Sequence, residues 1–173
     1  EFFLRFEDGG KATGPLKIIN DSEKHGSIVR FKADPEIFQE TQEYDFDTLN
    51  ARIRQLAFLN KSIRLVLCDE REAEPKRIEY KYDGGIRQYV EYLNKNKTPL
   101  HEEVVYVEGI EDGILAEIAM QYNDGYIPSI YSFCNNINTM EGGTHEDGFR
   151  LALTRIINAY AREQGMIKKD ETL

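Results

Sequence analysis

The sequence predicts a mixed α+β fold, and three patterns carry that reading. Apolar residues recur at helical spacing in three places. Runs of β-branched and aromatic residues pair as hairpins across turns such as Asp112-Gly113. Hydrophobic residues make up 40% of the 173 and charged residues 31%, a balance that suits a globular chain rather than a disordered one. A chain of this length buries a core without staples.

From the N-terminus, three short strands are expected at residues 1–7, 15–19 and 27–32, with turns at Gly9-Gly10 and His25-Gly26. Three short strands make too little sheet to bury a core. The run of Phe2, Phe3, Leu4 and Phe6 makes residue 1 look like a cut inside a larger protein. An acidic, proline-containing shift over residues 34–44 marks a boundary. We place one domain over residues 1–38 and a second over 39–173.

Beyond the boundary, Leu49, Ile53, Leu56 and Ala57 recur at helical spacing, with Asp45 or Asp47 as N-cap. Residues 63–68 and 77–82 read as a hairpin. Ile86, Tyr89, Val90 and Leu93 form a second helical stripe. Residues 104–108 and 114–121 form another hairpin. A strand is expected at 127–133, with Pro128 at its start or on an edge because it has no N–H to donate. Phe149, Ala152, Leu153, Ile156, Ile157 and Tyr160 trace one apolar stripe of a last helix. Thr144 and Asp147 suggest a weak capping box at its start, and Gly165 ends it.

Charge and cysteine usage bound the partners. The net charge is −9, which argues against tight non-specific binding of nucleic acid without excluding a local basic face. No apolar run approaches the roughly 20 residues of a membrane span, and no leader pattern is visible, so no membrane partner is expected. Cys68 and Cys134 read as buried free thiols in a reducing compartment, which favours the cytoplasm.

Few constellations suggest chemistry. Gly142-Gly143 runs into a helix start, where backbone N–H groups can cradle an anion. It is no Walker A loop, and Glu141, Glu146 and Asp147 crowd it, so a turn-and-cap role is the plainer reading. His145 has no second His or Cys at ligand spacing, and reads as a helix-start side chain beside carboxylates. Asn135, Asn136 and Asn138 read as loop formers. Arg150, Arg155 and Arg162 share the polar side of the last helix. Arg155 and Arg162 are nearly aligned and Arg150 is roughly 120–140° away. They make either a solvated face or a surface facing a polyanion. On their own terms the residues yield a two-part chain with no self-sufficient active site.

Four stretches resemble one family. They are QYNDGYIPSIYSFCNNINTMEGGTHEDGFRLALTR (121–155), ARIRQLAFLNKSIRLVLCDER (51–71), DGGIRQYVEYLNKNKTPLHEE (83–103) and HGSIVRFKAD (25–34). All are similar to the ATPase region of the DNA gyrase B family of bacterial type IIA topoisomerases. LNKNKTPLHEE and AFLNK favour gyrase over its topoisomerase IV counterpart, which shares the architecture. The resemblance implies that residues 39–173 form a transducer domain like domain 2 of ribosomal protein S5, a mostly antiparallel sheet with helices on one side. It implies that residues 1–38 are the last strands of a GHKL-type ATP-binding domain.

The function implied is ATP-driven DNA supercoiling, with ATP and Mg2+ as cofactors of the whole protein. ATP binding closes a gyrase B homodimer around double-stranded DNA, and the transducer relays nucleotide state to the gate formed with the gyrase A subunit. Ser27 stands where the family usually has a Thr whose hydroxyl joins a water-mediated contact to adenine. Val29 stands at an apolar pocket position. Arg150 matches an arginine facing the cavity that DNA passes through.

The chain departs from the family's full set. The magnesium-binding Asn, the water-activating Glu, the glycine-rich lid and the Gln-Thr-Lys loop are not among these residues, and Lys168-Lys169 does not match that loop. The 173 residues alone are therefore expected to bind nucleotide weakly, to turn none over, and to be monomeric. Two alternatives are a stand-alone S5-like interaction module and a hydrolytic or metal enzyme centred on His145.

Overall fold

A computed structural model of the chain describes residues 1–168 and 170–172. Lys169, compared above with the Gln-Thr-Lys loop, lies outside the described residues, as does Leu173, the expected last residue of the second domain. The architecture is mixed α+β, with three helices and short antiparallel strand pairs among the described residues. The chain divides into two compact units, Glu1–Leu49 and Asn50–Leu173.

The first unit holds one irregular hairpin. Strand β1 (Phe2–Phe3) pairs with β4 (Lys17–Ile18), and β2 (Phe6–Glu7) with β3 (Lys11–Ala12). Asp8, Gly9 and Gly10 turn the chain with φ of 45°, 72° and 102°, the left-handed region that favours glycine. Between the two ladder segments the register slips around Pro15, which has no N–H to pair. The strand expected at 27–32 does not form: none of these residues is in a strand, and Val29 is 86% exposed. Phe31 instead meets Phe38 and Tyr44 edge-on, with ring centres 6.2 and 5.9 Å away.

Helix α1 (Phe46–Leu59) starts as the sequence suggests. Of the two candidate caps it is Asp45 that serves, its Oδ1 accepting the Thr48 N–H at 2.6 Å, while Asp47 sits in the first turn, where the helix dipole favours it. Strands β5 (Leu65–Asp69) and β6 (Lys76–Tyr80) form the expected hairpin, with Leu65 opposite Tyr80 and Leu67 opposite Ile78 on the half-buried face. Cys68 falls on the other face and is exposed, as is Cys134 beside a turn. The expected burial of both thiols is thus corrected by strand alternation and turn position.

Helix α2 (Ile86–Asn94) packs against β8 (Ile114–Met120), which pairs with β7 (Val105–Glu111) across Asp112-Gly113. Both turn residues have positive φ, 50° and 77°, as a two-residue hairpin requires. The strand expected at 127–133 is corrected: only its last residue is in a strand, where β9 (Phe133–Cys134) pairs with β10 (Ile137–Asn138). The Thr139 N–H still reaches the Ser132 carbonyl at 2.9 Å, but no described residue forms a ladder with 127–131, and Pro128 has no N–H to offer one.

The core of the second unit is aromatic. Phe58 of α1 is 2% exposed. It stacks on Tyr82 at 3.7 Å between ring centres and on Tyr89 of α2 at 5.0 Å. Arg54, one turn earlier, donates to the hydroxyls of Tyr92 (2.6 Å) and Tyr80 (2.8 Å) while lying over both rings. Tyr131 and Phe133 close the cluster against Tyr89. The buried Asn94 at the end of α2 is satisfied by Gln121 and Asn123, at 3.0 and 3.2 Å.

Helix α3 (Thr144–Glu163) departs from expectation at its start. Its N-cap is Gly143, no side chain caps it, and Thr144 is already helical, so the capping box does not form. The end is as expected. Gly165, at φ 68°, lets the Gly165 N–H reach the Arg162 carbonyl and the Met166 N–H reach that of Ala161, the paired bonds of a Schellman ending. The apolar stripe does not become core among the described residues: Ile156 is 65% exposed and Tyr160 is exposed too, while Asn158 and Ala161 are buried. No helix among the described residues is long and apolar enough to cross a membrane.

Candidate functional site

The features singled out at 121–155 converge on the start of α3. Hairpin β9–β10 turns through Asn135 and Asn136, both left-handed at φ 48° and 66°, a conformation Asn tolerates better than most residues. These asparagines are therefore turn formers. The hairpin tip is pinned to α1, since Arg52 Nη2 donates to the Asn136 carbonyl at 2.7 Å and Asn136 Nδ2 donates to Asn60 Oδ1 at 3.1 Å. Beyond the hairpin, Gly142 takes φ 79° and Gly143 leads into the helix.

The helix start meets the segment before the hairpin in a line of hydrogen bonds. Ser132 Oγ donates to Glu146 Oε2 at 2.7 Å. Ser132 Oγ and Thr139 Oγ1 lie 2.7 Å apart, and Thr139 Oγ1 lies 3.1 Å from His145 Nε2. Each hydroxyl has one proton. With the Ser132 proton on Glu146, Thr139 donates to Ser132, and His145 Nε2 carries the proton it gives to Thr139. The line has one direction, from imidazole to carboxylate. On the other oxygen, Glu146 Oε1 accepts from Arg150 Nε (3.1 Å) and Nη2 (2.8 Å). Ser132 first, then Arg150, holds the Glu146 carboxyl below the usual carboxylate range. A cavity of about 650 Å3 opens here, lined among others by Tyr131, Met140, Asp147 and Arg150.

The sequence-derived site residues do not all gather in one place. Arg150 is in this cluster, its side chain 52% exposed, while Glu146 is 17% exposed. Arg155 is exposed. Arg162 donates to the Glu171 carbonyl at 2.9 Å, and its Nε is buried with no partner among the described residues. Ser27 and Val29 lie in the first unit on an irregular, exposed stretch. His145 bonds a hydroxyl, and no group of three His, Cys, Asp or Glu among the described residues is disposed to hold a metal.

Sequence reasoning missed Ser132 and Thr139, which lack any local motif, and missed the pairing within Glu146 and Arg150. The signal for the pair was present. A Glu four residues before an Arg is the favourable helical order.

A second polar cluster lies on β7 and β8. Lys61 Nζ donates to the Tyr106 hydroxyl at 2.7 Å and pairs with Glu117, and Arg87 stacks over the Tyr106 ring at 4.3 Å. Glu117 first, then Tyr106, raises the Lys61 ammonium above its ordinary value.

Comparison with known proteins gives one consistent answer. The family model described as DNA gyrase B matches residues 85–173. The chain is 54% identical over 166 residues to a DNA gyrase B protein of Bacillus mycoides, covering 96% of this chain and 41% of that one. It is 57% identical over 159 residues to a Bacillus cereus gyrase B protein, covering 92% and 39%. It thus spans about two fifths of those relatives. Among solved structures, the 43K ATPase domain of Thermus thermophilus gyrase B, in complex with an aminocoumarin, matches at TM-score 0.72 and 28% identity, over 94% of this chain and 44% of that one. The gyrase B protein of Myxococcus xanthus matches at TM-score 0.67 and 25% identity, over 92% and 44%.

Proposed function

The chain belongs to the DNA gyrase B family, and from that premise we propose that it is the transducing segment of an ATP-driven, DNA-supercoiling topoisomerase. It relays nucleotide state toward DNA strand passage and is not catalytic by itself. Residues 1–38 are the edge of an ATP-binding domain and residues 39–173 the transducer. The whole protein works in the cytoplasm with the gyrase A subunit, double-stranded DNA and a second gyrase B copy, using ATP and Mg2+.

The observation that carries the reading is Arg150. It lies within the stretch that the family model matches, on α3, with its side chain about half exposed and so within reach of an approaching phosphate. A locally basic point in a chain of net charge −9 attracts DNA without gripping it. Ser27 and Val29 do not by themselves fit a nucleotide. Both are exposed, and no described side chain encloses them. We assign them to one wall of an adenine pocket and route no chemical step through it.

Two measurements test this. The 173-residue chain should show no ATP turnover above background, and measurable hydrolysis by the pure chain refutes the reading. In a full-length gyrase B protein carrying this segment, assembled with gyrase A, Arg150→Ala should weaken DNA binding. It should also reduce the slope of log affinity against log salt by about 1, as loss of one phosphate contact does. An unchanged slope and affinity remove Arg150 from the DNA path.

A further inference from the structure

We propose that Glu146 is a built-in counter-ion of Arg150, which DNA phosphate must displace, and that Ser132 is the positioning residue that holds it in place. The inference rests on the reading of Arg150 as DNA-facing and adds how tightly that contact holds.

Three features of the geometry point this way. Both Nε and Nη2 of Arg150 converge on a single oxygen, Glu146 Oε1. A phosphate oxygen offers the same acceptor to the same two donors. The other oxygen, Oε2, is already taken by Ser132. Glu146 therefore keeps a hydrogen bond and its place in the first helical turn when Arg150 leaves. The exposures are also unequal, since the Glu146 side chain is largely covered and that of Arg150 is half open. The anion is fixed and the cation is the partner free to swing.

The consequence is a weak and reversible grip. Phosphate gains Arg150 only by replacing a carboxylate, so the net attraction is the difference between two similar ion pairs. An exposed ion pair contributes little on its own, so the exchange is easy in both directions. That suits a surface along which DNA passes rather than one where it stays.

The line from His145 through Thr139 and Ser132 ends on the same carboxylate. It fixes where Glu146 points. Arg52 and Asn60 on α1 and just beyond it pin the hairpin that separates Ser132 from Thr139. A shift of α1 relative to that hairpin has a physical route to Glu146, through contiguous polar contacts.

The test uses full-length gyrase B carrying this segment, with gyrase A and relaxed plasmid DNA, and reads DNA affinity through DNA-dependent ATP hydrolysis and direct binding. Glu146→Gln should raise apparent affinity roughly two- to fivefold, the range an exposed pair supports. Ser132→Ala should shift it the same way by less. In an Arg150→Ala background the Glu146→Gln gain should vanish, a coupling that a double-mutant cycle isolates. Helical circular dichroism checks that each variant folds, and if Glu146→Gln does not, Ser132→Ala in both backgrounds carries the test. If Arg150→Ala weakens binding but Glu146→Gln changes nothing, the counter-ion idea falls and the functional reading stands. A gain that persists without Arg150 marks a general charge effect and also overturns the counter-ion. If Arg150→Ala itself has no effect, the reading of Arg150 as DNA-facing falls and this inference with it.

Discussion

Asp69 ends β5 and finds its partner two residues on. Its Oδ1 accepts the Arg71 Nε at 2.9 Å and the Arg71 backbone N–H at 3.2 Å, and its Oδ2 accepts Nη2 at 2.6 Å. The Arg71 side chain first, then its backbone N–H, lowers the Asp69 carboxyl to about 2. The pH dependence follows from that direction. An unfolded Asp titrates near pH 4. A carboxyl depressed on folding contributes stability that is complete above that value, and loses it as pH falls through the folded one. Asp69→Asn should therefore flatten part of the fall in Tm between about pH 4 and pH 2, leaving the slope of Tm against pH near neutrality unchanged. Thermal melts of both proteins at half-unit pH steps check it, and parallel acid limbs would show that the Asp69–Arg71 bond adds nothing. Local pairs of this kind are what sequence shows poorly. Asp-x-Arg is common, and only the turn after β5 brings both groups onto one spot.

At the level of elements, the strength of the sequence signal tracked how local its cause was. Helix α1 was legible because its stripe, its Asp45 cap and its length agree. The hairpins β5–β6 and β7–β8 were legible because the turn residues sit between alternating runs. The strands expected at 27–32 and 127–133 were not there to be read, because a strand exists only with a partner and that information lies elsewhere in the chain. The stripe of α3 was legible as a helix but not as core, since nothing in a stripe says what covers it. In the candidate site, Arg150 came from the resemblance, whereas Ser132 and Thr139 reach Glu146 only through the hairpin geometry. Phe58 gives the element scale its prediction. It joins α1 to Tyr82 and to α2 through stacked rings, so its truncation leaves a cavity that its aromatic neighbours cannot fill together. Phe58→Ala should cost about 3–5 kcal/mol, measured by urea unfolding of the second unit's near-UV signal. A loss below about 1 kcal/mol would mean that the rings repack and that α1 is held by its polar bonds, from Arg54 to Tyr80 and Tyr92 and from Gln55 to the Tyr89 hydroxyl.

Over the whole molecule, the two units differ in what resists opening. In Glu1–Leu49 the ladders are two residues long, and Ala33 is the one buried apolar residue among those described. Short ladders without an apolar face exchange their backbone hydrogen bonds with water readily. In Asn50–Leu173 the β7–β8 ladder runs seven residues a side, α2 lies on β8, and Phe58 and Tyr89 are buried. The relay proposed above, from a nucleotide site toward DNA, benefits from that contrast. The receiving body must move as one piece, while the segment that senses the nucleotide must change state at low cost. Amide hydrogen exchange on the 173-residue chain tests the contrast directly. Amides of α1 beyond Asn50, α2, β7 and β8 should be the slowest, and those of residues 21–33, which have no ladder, should exchange close to the unprotected rate. The β1–β4 and β2–β3 pairs should fall between. Equal protection across both units would make the chain a single cooperative body, and the contrast would then lend nothing to the proposed relay.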